Sequence, residues 1–455
     1  MEIYKILYSA PDAQELGEKA LGKTVTFRRG VHPHEGNGEK RASGAKPIEN
    51  APAPALAAVP LLQHTGAPCK PLVKPGTRVL VGQKIGEPDG FVSAAVHASV
   101  SGKVKGIQPR IVAGGRRVTS VIIENDGMDE WDPSLAGVRD PDDPAQLLEA
   151  IRAAGVVGLG GAAFPTHVKL SPPKDKPIDT VILNGAECEP YLSADHRVML
   201  EEADAVLDGL RIAARITGAR EGLIGVEDNK PDAIEALRRA AGSDARVCPV
   251  RTKYPQGGEK QLIQVLTGRR VPSGGLPMDA GCVVINVSTA AAISRAVREG
   301  RPLIERVVTV DGAVGEPKNL RVRVGTEIGA VIAQCGGAKE EANKIVLGGP
   351  MMGQCAYDLH TPVTKGVSGV LLLCGHEAER PLGNCIRCGG CVEVCPIGLM
   401  PLTLYALARK GLYERARDAQ HLLDCIECGA CAYQCPARLP LVQYIRAAKS
   451  ALKRA

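Results

Sequence analysis

The sequence predicts a multidomain α/β protein in which small β modules flank a central α/β domain and an α-helical unit ends the chain. Three observations support this prediction. The chain has 455 residues, about three times the usual length of one domain. Helix and strand patterns alternate between about residues 144 and 300, which is typical of a sheet covered by helices. Short strand patterns interrupted by Gly and Pro lie on both sides of that region, which indicates small β modules.

The composition excludes several classes of protein. Hydrophobic residues make up 44% and charged residues 23% of the chain, values typical of a folded globular protein. Aromatic residues are only 3% and the net charge is +6, so a nucleic-acid-binding surface is not expected. No apolar run approaches the roughly 18 residues that span a bilayer, and the N-terminus lacks a signal-peptide pattern. We therefore expect a cytoplasmic protein, or one held at a membrane by partners.

The C-terminal cysteines give the strongest chemical signal. The segments CIRCGGCVEVCP (385–396) and CIECGACAYQCP (425–436) both read C-x2-C-x2-C-x3-C-P. Three thiolates at this spacing can surround one face of a cubane iron–sulfur cluster, and in two-cluster ferredoxins the fourth cysteine ligates the other cluster. The alternative is structural zinc, which is often held by four cysteines; two proline-terminated copies favour clusters. The motifs predict one [4Fe–4S] cluster on Cys385, Cys388, Cys391 and Cys435, and a second on Cys425, Cys428, Cys431 and Cys395.

The segment between the two motifs carries leucines, alanines and charges at helical spacing, with Gly411 separating two short helices. Compact bacterial ferredoxins have strands at this place. The unit therefore resembles an α-helical two-cluster ferredoxin, and this resemblance implies that it carries single electrons.

A glycine cluster, GVVGLGGAAFPTHVKL, follows a predicted amphipathic helix at residues 144–155. Such a loop can direct backbone N–H groups at a phosphate. A plain structural turn is the alternative, because the loop does not follow a clear strand as the dinucleotide fingerprint requires. Downstream, an apolar strand at 180–183 ends in Asn184, Glu187 and Glu189, where α/β sheets place ligand contacts.

Four segments carry a more specific resemblance: GLGGAAFPTHVK, ILNGAECEP, YPQGGEKQL and VINVSTA. Their order and approximate spacing resemble those of the flavin-bearing NADH-oxidising subunit of respiratory complex I. This resemblance implies an FMN and NADH site. Glu189 and Glu259 match acidic positions near the nicotinamide nucleotide, and Phe164 matches an aromatic residue that stacks there. The positions that match flavin contacts are Gly158, Gly160, Gly161, Lys169, Asn184, Asn286 and Thr289.

The chain departs from that family at four positions. Leu159 replaces an arginine, Ala163 a glycine, Ala186 an aspartate and Gly258 a glutamate. Charged groups are lost while most glycines are kept, so the departures weaken the nucleotide assignment more than the flavin assignment. Functionally, a flavin accepts two electrons as hydride, whereas a [4Fe–4S] cluster accepts one, so a flavin between NADH and the clusters would match the two steps.

The flanking segments are predicted to be small β modules. Residues 60–106 resemble the barrel-sandwich fold of lipoyl and biotinyl carriers, but the position of the carrier lysine falls near Ala98, Ser99 and Val100, so we expect a docking module without a covalent cofactor. Residues 307–333 resemble a β-grasp module. Residues 36–55 are rich in Gly, Pro and Ala and are predicted to form an extended surface strap. His32 and His34 are interpreted as a loop pair rather than a metal site.

The order of these modules resembles the RnfC family, the C subunits of Rnf ion-translocating oxidoreductase complexes, along nearly the whole chain. The resemblance implies a peripheral protein on the cytoplasmic face of the membrane that passes electrons between NAD(H), FMN, two clusters and the other Rnf subunits. Ferredoxin would be an indirect partner, and Na+ or H+ would move through the membrane subunits. The predicted modules span residues 1–125, 126–300, 301–360 and 361–455.

Two other functions stay open at this point. A soluble cobalamin reductase of the propanediol type shares the flavin and cluster domains, and it would not copurify with membrane subunits. A non-catalytic two-cluster electron wire would have lost nucleotide binding, which the substitutions at Leu159, Ala186 and Gly258 allow. Such a protein would hold no flavin after anaerobic purification.

Overall fold

The computed structural model describes residues 24–33, 39–374 and 381–453; His34 and much of the first predicted module's N-terminal part lie outside them. The chain's first described elements are a helix and a short strand. They are α1 (Glu39–Gly44) and β1 (Glu49–Asn50). Ser43 at the end of α1 is fully buried, and its Oγ lies 2.8 Å from Ser193 Oγ. The strap predicted for residues 36–55 is therefore partly helical and partly buried, because polar groups of the later modules bind it.

The N-terminal module consists of two small antiparallel sheets with strand orders β2-β8-β7-β4 and β3-β5-β6. A long hairpin, turned by a 3-10 helix at Ala113–Gly115, dominates it. Ala98, Ser99 and Val100 are fully buried, and Ser99 Oγ donates to the carbonyl of Val324, 2.6 Å away. This part of the module therefore docks on the third module. The strands are β2 (Leu56–Pro60), β3 (Lys70–Pro71), β4 (Arg78–Val79), β5 (Lys84–Glu87), β6 (Val96–His97), β7 (Gly102–Ile111) and β8 (Arg117–Asn125).

A parallel four-stranded sheet, ordered β11-β10-β9-β12, forms the central domain. Its strands are apolar runs because helices cover both faces. The helices are α2 (Pro144–Ala153), α3 (Thr166–Lys169), α4 (Ala194–Glu201), α5 (Ala203–Thr217), α6 (Pro231–Ala241), α7 (Glu259–Thr267) and α8 (Val287–Glu299). The strands are β9 (Thr180–Gly185), β10 (Glu221–Glu227), β11 (Arg246–Val250) and β12 (Cys282–Asn286), the last preceded by a 3-10 helix at Pro277–Ala280.

A six-stranded mixed sheet forms the third module, with the order β1-β14-β13-β17-β15-β16. Residues 328–334, predicted as part of an alternating β segment, form a helix. The sheet also takes β1 from the N-terminal segment and β17 from beyond residue 360, so this module is assembled from three parts of the chain. Its later elements are β13 (Glu305–Gly312), β14 (Lys318–Arg323), α9 (Ile328–Gln334), β15 (Lys344–Leu347), β16 (Gln354–Cys355) and β17 (Gly369–Leu373).

The C-terminal unit is helical between and around the cysteine motifs. Gly411 has φ +70 and separates α11 from α12, as the sequence predicts. Among the residues that the structure describes, no helix combines the length and apolarity needed to cross a bilayer. The helices are α10 (Gly390–Glu393), α11 (Pro401–Arg409), α12 (Tyr413–Gln420), α13 (Ala430–Tyr433) and α14 (Leu441–Leu452), with a 3-10 helix at Leu422–Asp424.

Candidate functional site

The glycine-rich loop lies between α2 and α3, close to the start of α8. The N–H of Gly158 donates to the carbonyl of Phe164 at 2.8 Å, closing a tight turn. Gly160 and Gly161 are exposed. Gly161 has φ +116, a conformation that favours glycine, and a Cβ added there would meet no atom within 4 Å. The tip of the loop therefore faces open space, which fits a loop that receives a phosphate or flavin. Phe164 is half-buried beside it.

Asn286 and Thr289 join α8 to the surrounding loops. Asn286 is the N-cap of α8, where its Oδ1 accepts from the N–H groups of Ser288 and Thr289. Its Nδ2 donates to Asp195 at 2.6 Å. Thr289 Oγ1 accepts from the N–H of Leu159 in the glycine-rich loop at 2.8 Å. Both predicted side chains thus hold the frame of the site.

Asn184 and Lys169 are similarly engaged with protein groups. Asn184 Nδ2 donates to the carbonyl of Gly257 at 2.9 Å. Lys169 Nζ donates to Glu259 Oε1 at 2.7 Å and to the carbonyl of Val284 at 2.9 Å. The Lys169–Glu259 pair is about one-third exposed at both ends, so an anionic ligand can replace the carboxylate without breaking a buried contact.

Two acids, Glu187 (buried) and Asp195 (partly buried), bind the starts of α4 and α8. Asp195 accepts from Ser288 Oγ at 2.5 Å as well as from Asn286. Glu187 accepts from the N–H groups of Asp195 and His196, at the start of α4. Burial raises the pKa of both carboxyl groups. Glu187, which follows β9 and was predicted among the ligand contacts there, therefore acts on α4 rather than facing the open loop.

Glu189 and Glu259 bind different groups of the protein. Its carboxylate accepts from the N–H groups of Met351 and Met352, both at 2.9 Å. A Cβ added at Gly349 would lie 2.2 Å from Glu189 Oε2, so this loop of the third module needs glycine to approach the acid. Burial raises the pKa of Glu189 to about 7. No local sequence signal points to this loop, because the acid that it binds lies about 160 residues earlier.

Replacing Glu189 by glutamine is expected to flatten the pH dependence of stability. Because its pKa is raised, the Glu189 carboxyl stays protonated in the folded protein at pH values at which it is ionised in the unfolded chain, where its pKa has the ordinary value of 4.5. Stability from this proton is complete below that value and is lost as pH rises to about 7. In thermal unfolding measured at several pH values, the stability of the wild type relative to E189Q should therefore fall as pH rises from 4.5 to about 7. Glu340→Gln, at an exposed residue, is the control; an unchanged slope in E189Q would contradict the prediction.

The cysteine motifs surround two cavities, and each cavity takes residues from both motifs. One of them, termed the inner cavity, is lined by Cys425, Cys428, Cys431 and Cys395. The other, the outer cavity, is lined by Cys385, Cys388, Cys391 and Cys435.

Within the described parts of the chain, no group of three or more His, Cys, Asp or Glu side chains is placed to hold a single metal ion. The N–H of Leu399 donates to Cys395 Sγ at 3.3 Å, the kind of bond that tunes cluster potentials. Cys428 and Cys431 are buried, whereas Cys385 and Cys388 are exposed.

The inner cavity is the one that contacts the α/β domain. Tyr254, in the loop before α7, is buried, and its hydroxyl donates to the carbonyl of Cys428 at 2.5 Å. A Cβ added at Gly429 would lie 2.7 Å from the carbonyl of Met351. The Met351 loop therefore touches both Glu189 and the inner cavity. Tyr254 and Met351 are site residues that sequence reasoning missed.

Further contacts fix the orientation of the cluster unit. The N–H of Gly30 donates to the carbonyl of Val394 at 3.0 Å. Asp424 accepts from Ser273 Oγ at 2.5 Å and from the N–H of Gly274 at 3.0 Å. The unit is thus attached to the N-terminal segment through Val394 and to the α/β domain through Asp424, whereas Cys385 and Cys388 of the outer cavity are exposed. His32, close to this contact, is exposed.

Four family models match successive parts of the chain. They are the RnfC barrel sandwich hybrid domain at residues 25–128, the Nuo51 FMN-binding domain at 151–295, the SLBB domain at 307–354 and the 4Fe-4S dicluster domain at 379–436. The complex I-like flavin domain, the barrel-sandwich module and the two-cluster unit expected from the sequence are therefore confirmed at the level of these domain families.

One solved structure shows a similar fold. A chain of an NAD+-reducing [NiFe]-hydrogenase in the air-oxidised state aligns with a TM-score of 0.50 and 19% identity, covering 69% of this chain and 67% of that one. At this identity the likeness concerns the fold alone.

Curated relatives match over nearly the whole length. The C subunit of the Na(+)-translocating ferredoxin:NAD(+) oxidoreductase complex of Acetobacterium woodii is 49% identical, covering 94% of this chain and 97% of that protein. The C subunit of the proton-translocating complex of Clostridium ljungdahlii is 50% identical, with 93% of each chain covered. The C subunit of the ion-translocating oxidoreductase complex of Rhodobacter capsulatus is 44% identical, with 94% and 84% covered. The chain therefore belongs to the RnfC family, the C subunits of Rnf-type ion-translocating oxidoreductase complexes.

Proposed function

We propose that this chain is a peripheral electron-transfer subunit of an ion-translocating ferredoxin:NAD+ oxidoreductase complex. The observation that carries the proposal is the spatial order of the sites in the molecule. The glycine-rich loop and Glu189 lie in and beside the α/β domain, Tyr254 and Met351 connect that domain to the inner cavity, and the outer cavity reaches the surface. Electrons can pass along this line between a nucleotide and a partner protein.

The two cavities are proposed to hold [4Fe–4S] clusters with crossed ligands. The inner cluster takes its ligands from the cysteines of the inner cavity, and the outer cluster from those of the outer cavity. Four thiolates per cubane is the usual ligation, and each cavity offers four cysteines. Because Cys385 and Cys388 are exposed, the outer cluster is the one proposed to exchange electrons with other subunits, and through them with ferredoxin.

FMN is proposed to bind over the glycine-rich loop. Gly158, Gly160 and Gly161 supply open backbone, and Lys169 can transfer its bond from Glu259 to a phosphate. The other flavin residues proposed from the resemblance are Asn184, Asn286 and Thr289, which fix the loops around the ligand. When bound, FMN supplies the exchange between two-electron hydride chemistry and one-electron transfer.

NAD(H) is proposed to bind beside the flavin, with Phe164 as the stacking residue and with Glu189 and Glu259 as the acidic residues. Leu159 and Ala186 are almost fully buried, so the charges found at these positions in the flavin-bearing protein of complex I are replaced here by packing. Both Glu189 oxygens already accept from the Met351 loop, so a nucleotide would share this acid with that loop.

The location and the module limits belong to the same proposal. The chain would sit on the cytoplasmic face of the membrane, held by other subunits of the complex. The barrel-sandwich, flavin and β-grasp modules and the α-helical ferredoxin unit are proposed to meet near residues 125, 300 and 360, with β17 extending the third module to residue 373.

The proposal is tested by mixing anaerobically reconstituted protein containing FMN with NADH and following cluster reduction by electron paramagnetic resonance. Rapid appearance of reduced-cluster signals is expected. Clusters that respond to dithionite but stay silent with NADH would favour the electron-wire function. Copurification with membrane subunits separates the proposed function from that of a soluble cobalamin reductase.

Replacing Lys169 by alanine is expected to weaken FMN retention by about tenfold, because a charge-assisted bond to phosphate would be lost. FMN content after gel filtration and the Kd from flavin fluorescence measure the effect. Lys174→Ala, at an exposed lysine after α3, is the control. Unchanged FMN content in K169A would remove the phosphate role.

A further inference from the structure

Lys365 connects three parts of the chain behind the glycine-rich loop. Its Nζ donates to the carbonyl of Gly155, where the loop begins, and to the carbonyl of Ala95 in the barrel-sandwich module, both at 2.8 Å. Its own N–H donates to Gln63 Oε1 at 3.1 Å. Its carbonyl accepts from Arg306 Nη1 at 2.6 Å. A single residue between β16 and β17 therefore joins the first, second and third modules.

Other donors bind the same side of the loop. Thr65 of the barrel-sandwich module donates through Oγ1 to the carbonyl of Ala162 at 2.9 Å and through its N–H to the carbonyl of Ala163 at 3.1 Å. Arg306 Nη2 donates to the carbonyl of Leu159 at 3.3 Å. Carbonyls along the loop are thus bound by groups from outside the α/β domain.

The Lys365 side chain is almost fully buried, with 1% of the residue exposed, and its ammonium donates to the two carbonyl oxygens already named. Burying an ammonium is costly unless its donors are used, and burial lowers the pKa of Lys365 to about 7. An apolar side chain of similar length would fill this space without burying an ammonium. The position therefore indicates that the bonds to the loop serve a purpose beyond packing.

We propose that Lys365 is a positioning residue for flavin binding, which holds the glycine-rich loop by its carbonyl side so that the opposite side is presented to the ligand. In a trans peptide the N–H and C=O groups point in opposite directions. Fixing the carbonyls of Leu159, Ala162 and Ala163 therefore limits where the N–H groups of the residues that follow them can point. The bond from Lys365 to Gly155 fixes the start of the loop, where the N–H of Val156 donates to the carbonyl of Ile151. Backbone N–H groups directed at one point bind phosphate. The inference rests on the proposed FMN site, and it gives the barrel-sandwich module a role in that site.

Lys365→Met, which keeps the length of the side chain and removes its donors, is expected to raise the Kd for FMN about tenfold or more, the size of effect expected for lost bonds from a charged donor. The Kd is measured by flavin fluorescence on the full chain with both clusters reconstituted. Lys70→Met, in the barrel-sandwich module that Lys365 contacts, is the matched control, because the Lys70 side chain is 72% exposed and paired with Asp89. Its Kd should equal that of the wild type.

Backbone hydrogen exchange separates positioning from general destabilisation. K365M should speed exchange in residues 158–163 while exchange in β9 and the cluster signals stay unchanged. The fluorescence of Trp131, the single tryptophan, checks that the barrel-sandwich module is folded. If K365M fails to fold, Thr65→Val, which removes the bond to Ala162, gives the second measurement, with an expected rise in Kd of a few fold.

Two outcomes overturn the inference in different ways. A Kd within about twofold of the wild type in both variants, with unchanged exchange in the loop, would show that the bonds serve packing only. A wild-type chain that binds no FMN would overturn the proposed FMN site and this inference together.

Discussion

Serine in place of Cys395 is expected to remove the inner cluster, although Cys395 belongs to the first motif in the sequence. Cys395 lines the inner cavity together with the first three cysteines of the second motif. The oxygen of serine is a poorer ligand than thiolate for iron–sulfur clusters, which are held by cysteine thiolates. C395S should therefore lose about half of its iron and the signal of one cluster, while the outer cluster remains reducible by dithionite.

Cys435→Ser is the matched variant in the other cavity. It should remove the outer cluster and leave the inner one, because Cys435 lines the outer cavity. NADH reduction then gives the order of the two sites. In C435S, NADH should still reduce the remaining inner cluster, whereas in C395S it should fail to reduce the outer cluster at a comparable rate. Iron analysis and electron paramagnetic resonance measure both results.

Two results would contradict the prediction, one for the crossed ligation and one for the order of the clusters. Damage confined to the cluster of the same motif would show that ligation is not crossed. Rapid NADH reduction of the outer cluster in C395S would show that the inner cavity is not the entry from the α/β domain. Cys374→Ser, at an exposed cysteine outside both cavities, controls for the loss of a thiol.

The parts of the site that can be predicted from the sequence are those carried by local spacing. The eight motif cysteines, the glycine-rich loop and the polar end of β9 are each defined within a few residues. The connecting groups could not be predicted in this way, because their partners are far along the chain. Tyr254 and Cys428 are 174 residues apart, and Gln63 and Lys365 are 302 residues apart.

The same reason explains the differences in the fold. The 36–55 segment has the composition of a surface strap, but β1 pairs in parallel with β14, whose partner residues lie about 270 positions later. The 328–334 segment continues an apolar pattern that also fits a strand, and over so short a run periodicity does not separate helix from strand. In both cases tertiary contacts decide the structure.

Alanine in place of Tyr254 is expected to stop NADH-dependent reduction of both clusters while leaving them reducible by dithionite. Tyr254 is 1% exposed and packs with Val31, Cys428 and Ala430 at the contact between the α/β domain and the inner cavity. Removing a buried aromatic side chain costs about 3–5 kcal/mol. The loss falls on the contact that holds the inner cavity against the α/β domain, and electron transfer slows steeply as that separation grows.

Tyr254→Phe distinguishes packing from the hydrogen bond. The phenylalanine ring keeps the contact area but leaves the Cys428 carbonyl without its donor, at a cost of about 1–3 kcal/mol. Y254F should therefore slow NADH-dependent cluster reduction only a few fold and change the potential of the inner cluster alone, as measured in a redox titration. Tyr357→Ala, at a residue that is 73% exposed, is the control and should match the wild type.

If NADH reduces the clusters of Y254A as fast as those of the wild type, electron transfer does not depend on the Tyr254 contact. Another route must then connect the α/β domain to the inner cavity. The other contacts described around the inner cavity, through Gly30, Met351 and Asp424, involve backbone groups and side chains that are not buried. Tyr254 is the large buried side chain that spans the contact and also bonds to a cysteine of the inner cavity. We therefore expect substitutions of this one side chain to change both the packing of the two units and the rate at which electrons cross between them.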